Sequence, residues 1–365
     1  MMNPSLYDKL QILEPVSKVL DDQERLRAVE QPLLSWYKEH RRTLPWRENP
    51  KPYRVWISEI MLQQTRVEAV KPYYDRFMKA LPEVTDLALV SEDKLLKLWE
   101  GLGYYSRAKN LKKAAELLVE KYGGNLPASY EELKSLPGIG SYTAGAIASI
   151  AFNIPVPAVD GNVLRVISRL TGSMEDITKQ SVKRNMEELI QSVMPELDPG
   201  SYNQSLIEVG ATVCIPNGTP LCDGCPLASL CIAREKKLTE TIPVKAPKKK
   251  RRIEERTILI LKNDGRVAIR KREEKGLLAS LYELPGLEGK IPENLILNSL
   301  GIQEANITPL PDAKHIFSHV EWHMTGFRVE LKERLKGNYL WVTPEEVEKT
   351  YSLPGAFKAY TKLIR

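Results

Sequence analysis

The chain has 365 residues, with 53 Lys+Arg against 47 Asp+Glu and a formal net charge of +6. This length supports two or more domains with cores of their own, and the mild basic excess permits a nucleic-acid partner without demanding one. Hydrophobic residues at 42% and aromatic residues at 7% are those of an ordinary soluble protein, and the opening MMNPSLYDKL lacks a secretory apolar core. No apolar run is long enough to span a bilayer, so a cytoplasmic monomer with no membrane partner is expected.

In chain order, residues 1–29 read as a charged lead-in with no assigned element. From Pro32 to Phe152 the apolar spacing is helical, broken by Pro, Gly and polar links at Arg47–Pro52, Leu81–Thr85, Gly101–Gly103 and Gly123–Pro127. Within it, PYRVWISEIML predicts a helix that buries Trp56, Ile57, Ile60 and Met61, with Glu59 among them. A carboxyl in apolar surroundings has its charged form disfavoured and can serve as an acid. Gln63, Gln64 and Thr65 follow, with amides suited to base edges. In GLGYYSRAKNL, Tyr104 and Tyr105 stand beside a glycine turn with Arg107 and Lys109 close by, a mixture suited to stacking on bases and pairing with phosphates.

The stretch LPGIGSYTAGAIASIAFNIPVPAVDGNVLRVISRL carries the densest chemistry. Ser129 and Glu132 have capping-box spacing for a helix ending near Leu136. Pro137, Gly138 and Gly140 then force a tight turn, and Ser141 can cap a helix whose first N–H groups suit a phosphate. The proline-rich IPVPAVDGN delivers Asp160 to the start of a third helix. Further on, Cys214, Cys222, Cys225 and Cys231 form C-x7-C-x2-C-x5-C, close enough for a 4Fe–4S cluster or a zinc site. Residues 233–253 contain KAPKKKRR and read as a basic linker. Past Glu255 strand periodicity takes over: TILILK and RVAIRKR flank Asn263-Asp264-Gly265 as a hairpin, GFRVEL and YLWVT are later strands, and Thr343 opens a helix. Residues 254–365 therefore form an α+β module.

The hairpin with its following aspartate resembles the helix–hairpin–helix DNA glycosylases, and SEIMLQQT resembles the same stretch of the MutY-type adenine DNA glycosylases. The resemblance covers roughly residues 30–365. It implies a multidomain protein: a mainly α two-lobed part over 30–232, then a Nudix-like α+β domain. A six-helix-barrel lobe would span about 55–160, and an iron–sulfur lobe 30–54 with 161–232. The four cysteines would hold a 4Fe–4S cluster, although the family's first cysteine gap is usually one residue shorter; the turn in IPNGTPL can absorb the extra residue.

The same resemblance implies adenine excision from duplex DNA, with the base flipped into a pocket between the two helical lobes. Glu59 would protonate adenine N7, Asp160 would stabilise the oxocarbenium-like sugar, and Tyr142 and Asn162 would orient the sugar and the carboxylates. Arg47 and Gln204 would line the base pocket. Gln63, Gln64, Thr65, Leu102, Tyr104, Gly138 and Gly140 would meet DNA, with Gln64 and Tyr104 as wedges. Endonuclease III relatives carry a lysine nucleophile where Tyr142 stands, so no strand cleavage by that route is expected. LYELPGLEG looks Nudix-like, yet NLILNSLG stands where the acidic metal-binding run of Nudix hydrolases belongs. The module therefore resembles a binding domain, and Phe317, Ser318 and His319 resemble the loop that reads 8-oxoguanine. The expected partner is a duplex with adenine opposite 8-oxoguanine or guanine.

Overall fold

The computed structural model describes residues 20–247 and 250–364. The lead-in expected over 1–29 lies largely outside them, but its end does not. Asp21 accepts from the Glu24 amide at 2.8 Å while Glu24 accepts from the Asp21 amide at 3.2 Å, a complete capping box that starts α1 (Asp22–His40). The helix buries Leu26, Val29, Leu33 and Tyr37, so the chain is folded from Asp22 onward. Next come α2 (Pro45–Glu48), α3 (Pro52–Leu62), α4 (Val67–Ala80), α5 (Val84–Leu89), α6 (Glu92–Trp99), α7 (Ser106–Tyr122), α8 (Tyr130–Ser135) and α9 (Ser141–Phe152). They are followed by α10 (Gly161–Thr171), α11 (Gln180–Gln191), α12 (Pro199–Thr212) and α13 (Ile232–Glu235).

The chain divides into two compact units: residues 20–42 with Asn153–Lys245, and Thr43–Phe152 with residues from Ala246 onward. The chain passes from one unit to the other at 42/43 and 152/153, where the resemblance implied lobe boundaries at 54/55 and 160/161. The first unit packs α1, α10, α11 and α12 around Leu33, Val163, Ile167, Ile190, Tyr202 and Leu206. Within it Glu208 is wholly buried, and Arg42 meets it through Nε at 2.7 Å, Nη2 at 2.9 Å and the backbone amide at 2.9 Å. The basic linker is shorter than 233–253. Ile242 is fully buried, its carbonyl accepts from Arg169 Nε at 2.8 Å, and Val244 bridges to Asp176. Two isolated apolar residues in a lysine-rich stretch anchor it to the first unit, leaving only about 246–251 as connection.

In the second unit α3 packs on α9 and α5 on α7. The run Ala144, Gly145, Ala146, Ile147 and Ala148 is buried; such small side chains let neighbouring backbones come close. The remainder is a mixed sheet: β1 (Arg252–Asn263), β2 (Arg266–Lys271), β3 (Tyr282–Glu283), β4 (Gly286–Glu288), β5 (Asn306–Ile316), β6 (Val320–Glu330) and β7 (Leu340–Val342). The strand order is β3-β2-β1-β6-β5, with β4 paired to β1 and β7 to β2; β1 and β6 run parallel and the other pairs antiparallel. Asp264 and Gly265 both have positive φ (+47° and +69°), as the expected two-residue hairpin requires. Successive residues of β1 serve opposite faces. Ile258 and Ile260 join a core with Trp322, Phe357 and Tyr360, and Leu259 and Leu261 join one with Ile296 and Phe327.

NLILNSLG does form a helix, α14 (Glu293–Leu300), which buries Ile296 and has Glu293 as its one acidic residue. The last helices are α15 (Pro344–Lys349) and α16 (Lys358–Thr361). Strand β5 was not among the expected elements; Pro309 and Pro311 mask it, and a register shift between Leu310 and Ala313 accommodates them at the sheet edge. On β6, a Cβ at Gly326 would lie 2.2 Å from Tyr360 Cε1, whose hydroxyl donates to the Met324 carbonyl at 3.0 Å. Gly326→Ala should therefore destabilise this core by about 1–3 kcal/mol. A thermal unfolding curve with a lowered midpoint would bear this out, and an unchanged midpoint would contradict it.

Candidate active site and nucleic-acid interface

The hairpin turn joins α8 to α9. Ser129 accepts from the Glu132 amide to start α8, and Gly138 (φ +79°) turns the chain where an added Cβ would stand 2.7 Å from Asn110 Cβ. Gly140 differs from expectation: its φ is not positive and a Cβ there would meet nothing within 4 Å. The turn does not require a glycine there; its small size leaves the start of α9 open to approach. Tyr142, one residue into α9, donates its hydroxyl to Glu59 Oε2 at 2.6 Å. Glu59 is 7% exposed on α3. Beside this pair Gln63 Nε2 donates to Thr143 Oγ1 at 3.3 Å. The first turn of α9 thus holds both the buried acid and the loop after α3. Arg47, on α2, is half-buried in the same unit.

Two exposed residues on the helical loops of this unit have backbones that side chains rarely adopt: Gln64 at φ +59° and Tyr104 at φ +45°. Both belong to the set expected to meet DNA. Thr65 is half-buried, while Leu102 is 6% exposed and so packs inside the turn. Arg107 corrects the sequence reading outright. It is 8% exposed and gives its donors to backbone carbonyls of the two loops, not to phosphates. Lys109 pairs with Glu92 at 3.1 Å. The Tyr104 hydroxyl lies 2.9 Å from Ser318 Oγ, and both line a cavity of about 890 Å³ with Lys109, Lys113, Phe317 and His319. Phe317 packs edge-on between His315 and Trp322 (ring centroids 4.5 and 5.0 Å), which leaves Ser318 and His319 as the exposed pair at the β5–β6 turn.

Asp160 caps α10 in the other unit. Its Oδ1 accepts from the Asn162 and Val163 amides, each at 2.8 Å, and its Oδ2 from Asn162 Nδ2 at 2.7 Å. Burial pushes this carboxyl above the usual range, opposed by those donors and by the charge of Arg165. Arg165 extends the network: Nη2 donates to Asn162 Oδ1 at 2.8 Å and to the Gly210 carbonyl at 2.7 Å, and Nε to the Cys214 carbonyl at 2.7 Å. Asn203 holds the preceding loop, accepting from the Ala158 amide at 2.9 Å and donating to the Val156 carbonyl at 2.8 Å. Gln204, next to it on α12, is half-buried. Arg165, Asn203 and Gly210 escaped the sequence reading because each acts through backbone groups that spacing does not reveal.

Cys214, Cys222, Cys225 and Cys231 line one small cavity together with Arg169 and Arg234. Arg169 Nη1 donates to Cys214 Sγ at 3.2 Å. Gly218, at φ +80°, turns the chain within the long first gap. Burial pushes the Cys225 thiol up to about 12. Among the described residues no three His, Cys, Asp or Glu side chains gather closely enough to hold a metal ion.

Residues 57–192 match the HhH-GPD superfamily of base excision DNA repair proteins, and residues 256–363 match the NUDIX domain. The helical part is similar in structure to a thermostable thymine-DNA glycosylase (TM-score 0.53, 29% identity, 59% of this chain and 100% of that one). It is also similar to a non-covalent endonuclease III–DNA complex (TM-score 0.51, 26% identity, 60% and 99%). Fold and hairpin thus define a base-excision DNA repair protein with an appended Nudix domain. Adenine DNA glycosylase of Rattus norvegicus is 35% identical over 91% of this chain and 77% of its own. That of Buchnera aphidicola from Acyrthosiphon pisum is 35% identical over 82% and 85%. The chain belongs to the adenine DNA glycosylase family, base-excision enzymes that hydrolyse the N-glycosyl bond of adenine.

Gly210 on α12 is where α10 comes closest: a Cβ there would lie 2.6 Å from Asn162 Cβ and 3.1 Å from its Cα. Gly210→Ala should displace Asn162 and with it the Asp160 carboxylate, at a cost of about 1–3 kcal/mol in stability. Adenine excision measured well below the melting temperature should fall as well; unaltered excision would show that Asn162 tolerates the shift.

Proposed function

We propose that this glycosylase excises adenine opposite 8-oxoguanine, or guanine, in duplex DNA and leaves the abasic strand uncut. The observation that carries this reading is the 2.6 Å hydrogen bond from Tyr142 to Glu59. At the hairpin position where a strand-cleaving relative needs an amine stands a phenol, engaged with the acid. A Schiff-base attack on the sugar requires a primary amine, and a tyrosine has none.

Adenine buried in a helix must first leave the stack. Gln64 and Tyr104 act as wedges, with Gln63, Thr65, Leu102, Gly138 and Gly140 along the DNA-contacting loops, and Arg47 and Gln204 are each assigned to contacts with the flipped base. Glu59 gives its proton to adenine N7; the Tyr142 hydroxyl fixes the plane of its carboxyl. As the bond to the base breaks, positive charge grows on the sugar, and Asp160 answers it with a carboxylate oriented by Asn162. Water completes the hydrolysis. Phe317, Ser318 and His319 read the opposite base, with Ser318 and His319 supplying the donor and acceptor that separate 8-oxoguanine from guanine.

The cysteines are assigned to a 4Fe–4S cluster rather than zinc. Four cysteine sulfurs opening on a shared cavity fit such a cluster, in keeping with the family resemblance. When bound it braces the loop after α12; Arg169 and Arg234 offset the charge of its thiolates.

Two outcomes test this reading. Incubation with A:8-oxoG, A:G and thymine-glycol duplexes should release adenine from the first two and produce nicks only after alkali. Efficient trapping of an enzyme–DNA adduct by borohydride would contradict it. Asp160→Asn should slow single-turnover excision by at least about a hundredfold while mismatch binding persists; a near wild-type rate would remove Asp160 from the mechanism.

A further inference from the structure

α3 ends without a glycine: its C-cap residue Gln63 (φ −56°, ψ 111°) is followed by Gln64, which turns left-handed (φ +59°), and the carbonyls of the last turn still call for another donor. Arg107 supplies it. Nη1 donates to the carbonyls of Ile60, Met61 and Gln63 at 2.7, 2.9 and 2.8 Å. Nη2 donates to the Leu102 and Gly103 carbonyls, both at 3.1 Å, and to Thr65 Oγ1 at 3.4 Å. The guanidinium carbon lies 5.3 Å from the Trp99 ring centroid and 5.7 Å from that of Tyr104.

This placement is costly. A buried cation normally has a carboxylate partner, but here its donors go to carbonyls, a hydroxyl and ring faces. The inner Nε has no hydrogen-bond partner among the described residues. What the fork joins is the turn carrying Gln64 and the turn carrying Tyr104, two exposed positions whose backbones are left-handed without being glycine. Strained residues of this kind persist only where their surroundings over-determine them. Glu59 sits on the same last turns of α3 whose carbonyls Arg107 holds.

We infer that Arg107 is a positioning residue for base opening: one guanidinium clamps both wedge-bearing turns, so that Gln64 and Tyr104 meet the duplex together. The inference rests on the wedge roles proposed above. A guanidinium suits the task because its planar fork reaches several carbonyls at once, whereas a lysine ammonium offers a point charge on a flexible stem.

The test uses the full-length protein and a duplex with 2-aminopurine at the target position opposite 8-oxoguanine, whose fluorescence rises as the base leaves the stack. Four proteins are compared at saturating concentration: wild type, Arg107→Lys, Gln64→Ala/Tyr104→Ala, and the combination. Arg107→Lys, which keeps the charge, should reduce opening by about ten- to a hundredfold. In the Gln64→Ala/Tyr104→Ala background it should reduce opening by less than about threefold more, because groups acting as a unit are not additive. Arg107→Gln, uncharged but still a donor, should behave the same way and serves if the lysine variant does not fold. The same factor in both backgrounds would overturn the inference, since Arg107 would then serve the fold at large. Normal opening by Gln64→Ala/Tyr104→Ala alone would instead overturn the wedge reading, on a separate arm.

Discussion

Asp160 has lost most of its water, and a carboxylate without water must find donors or give up its charge. The start of α10 provides them: two backbone amides that no helix can satisfy internally, and the amide of Asn162. This one arrangement sets demands on the rest of its unit. Asn162 has to stay put, so Arg165 holds its oxygen and Gly210 lets α12 come close. Arg165 in turn ends on the Cys214 carbonyl, which places the cysteine loop one residue away from the support of Asp160. The long IPVPAVD segment is kept in register by Asn203 from α12.

The second unit holds a carboxyl group among apolar neighbours. Glu59 lies on a helix with eight buried residues, and the small side chains of α9 let Tyr142 reach it. The loops that leave this helix are strained where they face outward and are tied together beneath the surface. On the roles proposed above, chemistry and base opening would draw on the same few backbone atoms at the end of α3. The Nudix-like sheet joins at Tyr104, through the hydroxyl contact with Ser318. That contact brings the wedge turn and the turn expected to read the opposite base to one cavity.

Much of this was legible in the sequence, for definite reasons. The hairpin, the strand pair around Asp264-Gly265 and the helix start at Thr343 are written in residues with unusual backbone demands, and each appears where expected. Glu59 and Asp160 drew attention because a carboxylate in an apolar run and an aspartate after a proline-rich segment stand out locally, and Tyr142 through the family resemblance alone. Arg107 was misread: a cation beside two tyrosines looks like a phosphate ligand until its burial is known. Strand β5 was hidden by two prolines at a sheet edge, and α1 by a charged surface whose buried side has only four residues. The linker looked long because Ile242 and Val244 are isolated among lysines. In each miss the deciding partner is distant in the chain.

If Asp160 stabilises a cationic sugar, it must be an anion at neutral pH in spite of its burial, because a stabiliser of positive charge has to be charged. Carbon-13 NMR of the side-chain carboxyls in aspartate-labelled protein tests this directly, with the Asp160 signal identified by its loss in Asp160→Asn. The expected result is a titration midpoint above the ordinary aspartate range, as burial dictates, with the carboxylate formed at neutral pH. A carboxyl that is still protonated at neutral pH would contradict it.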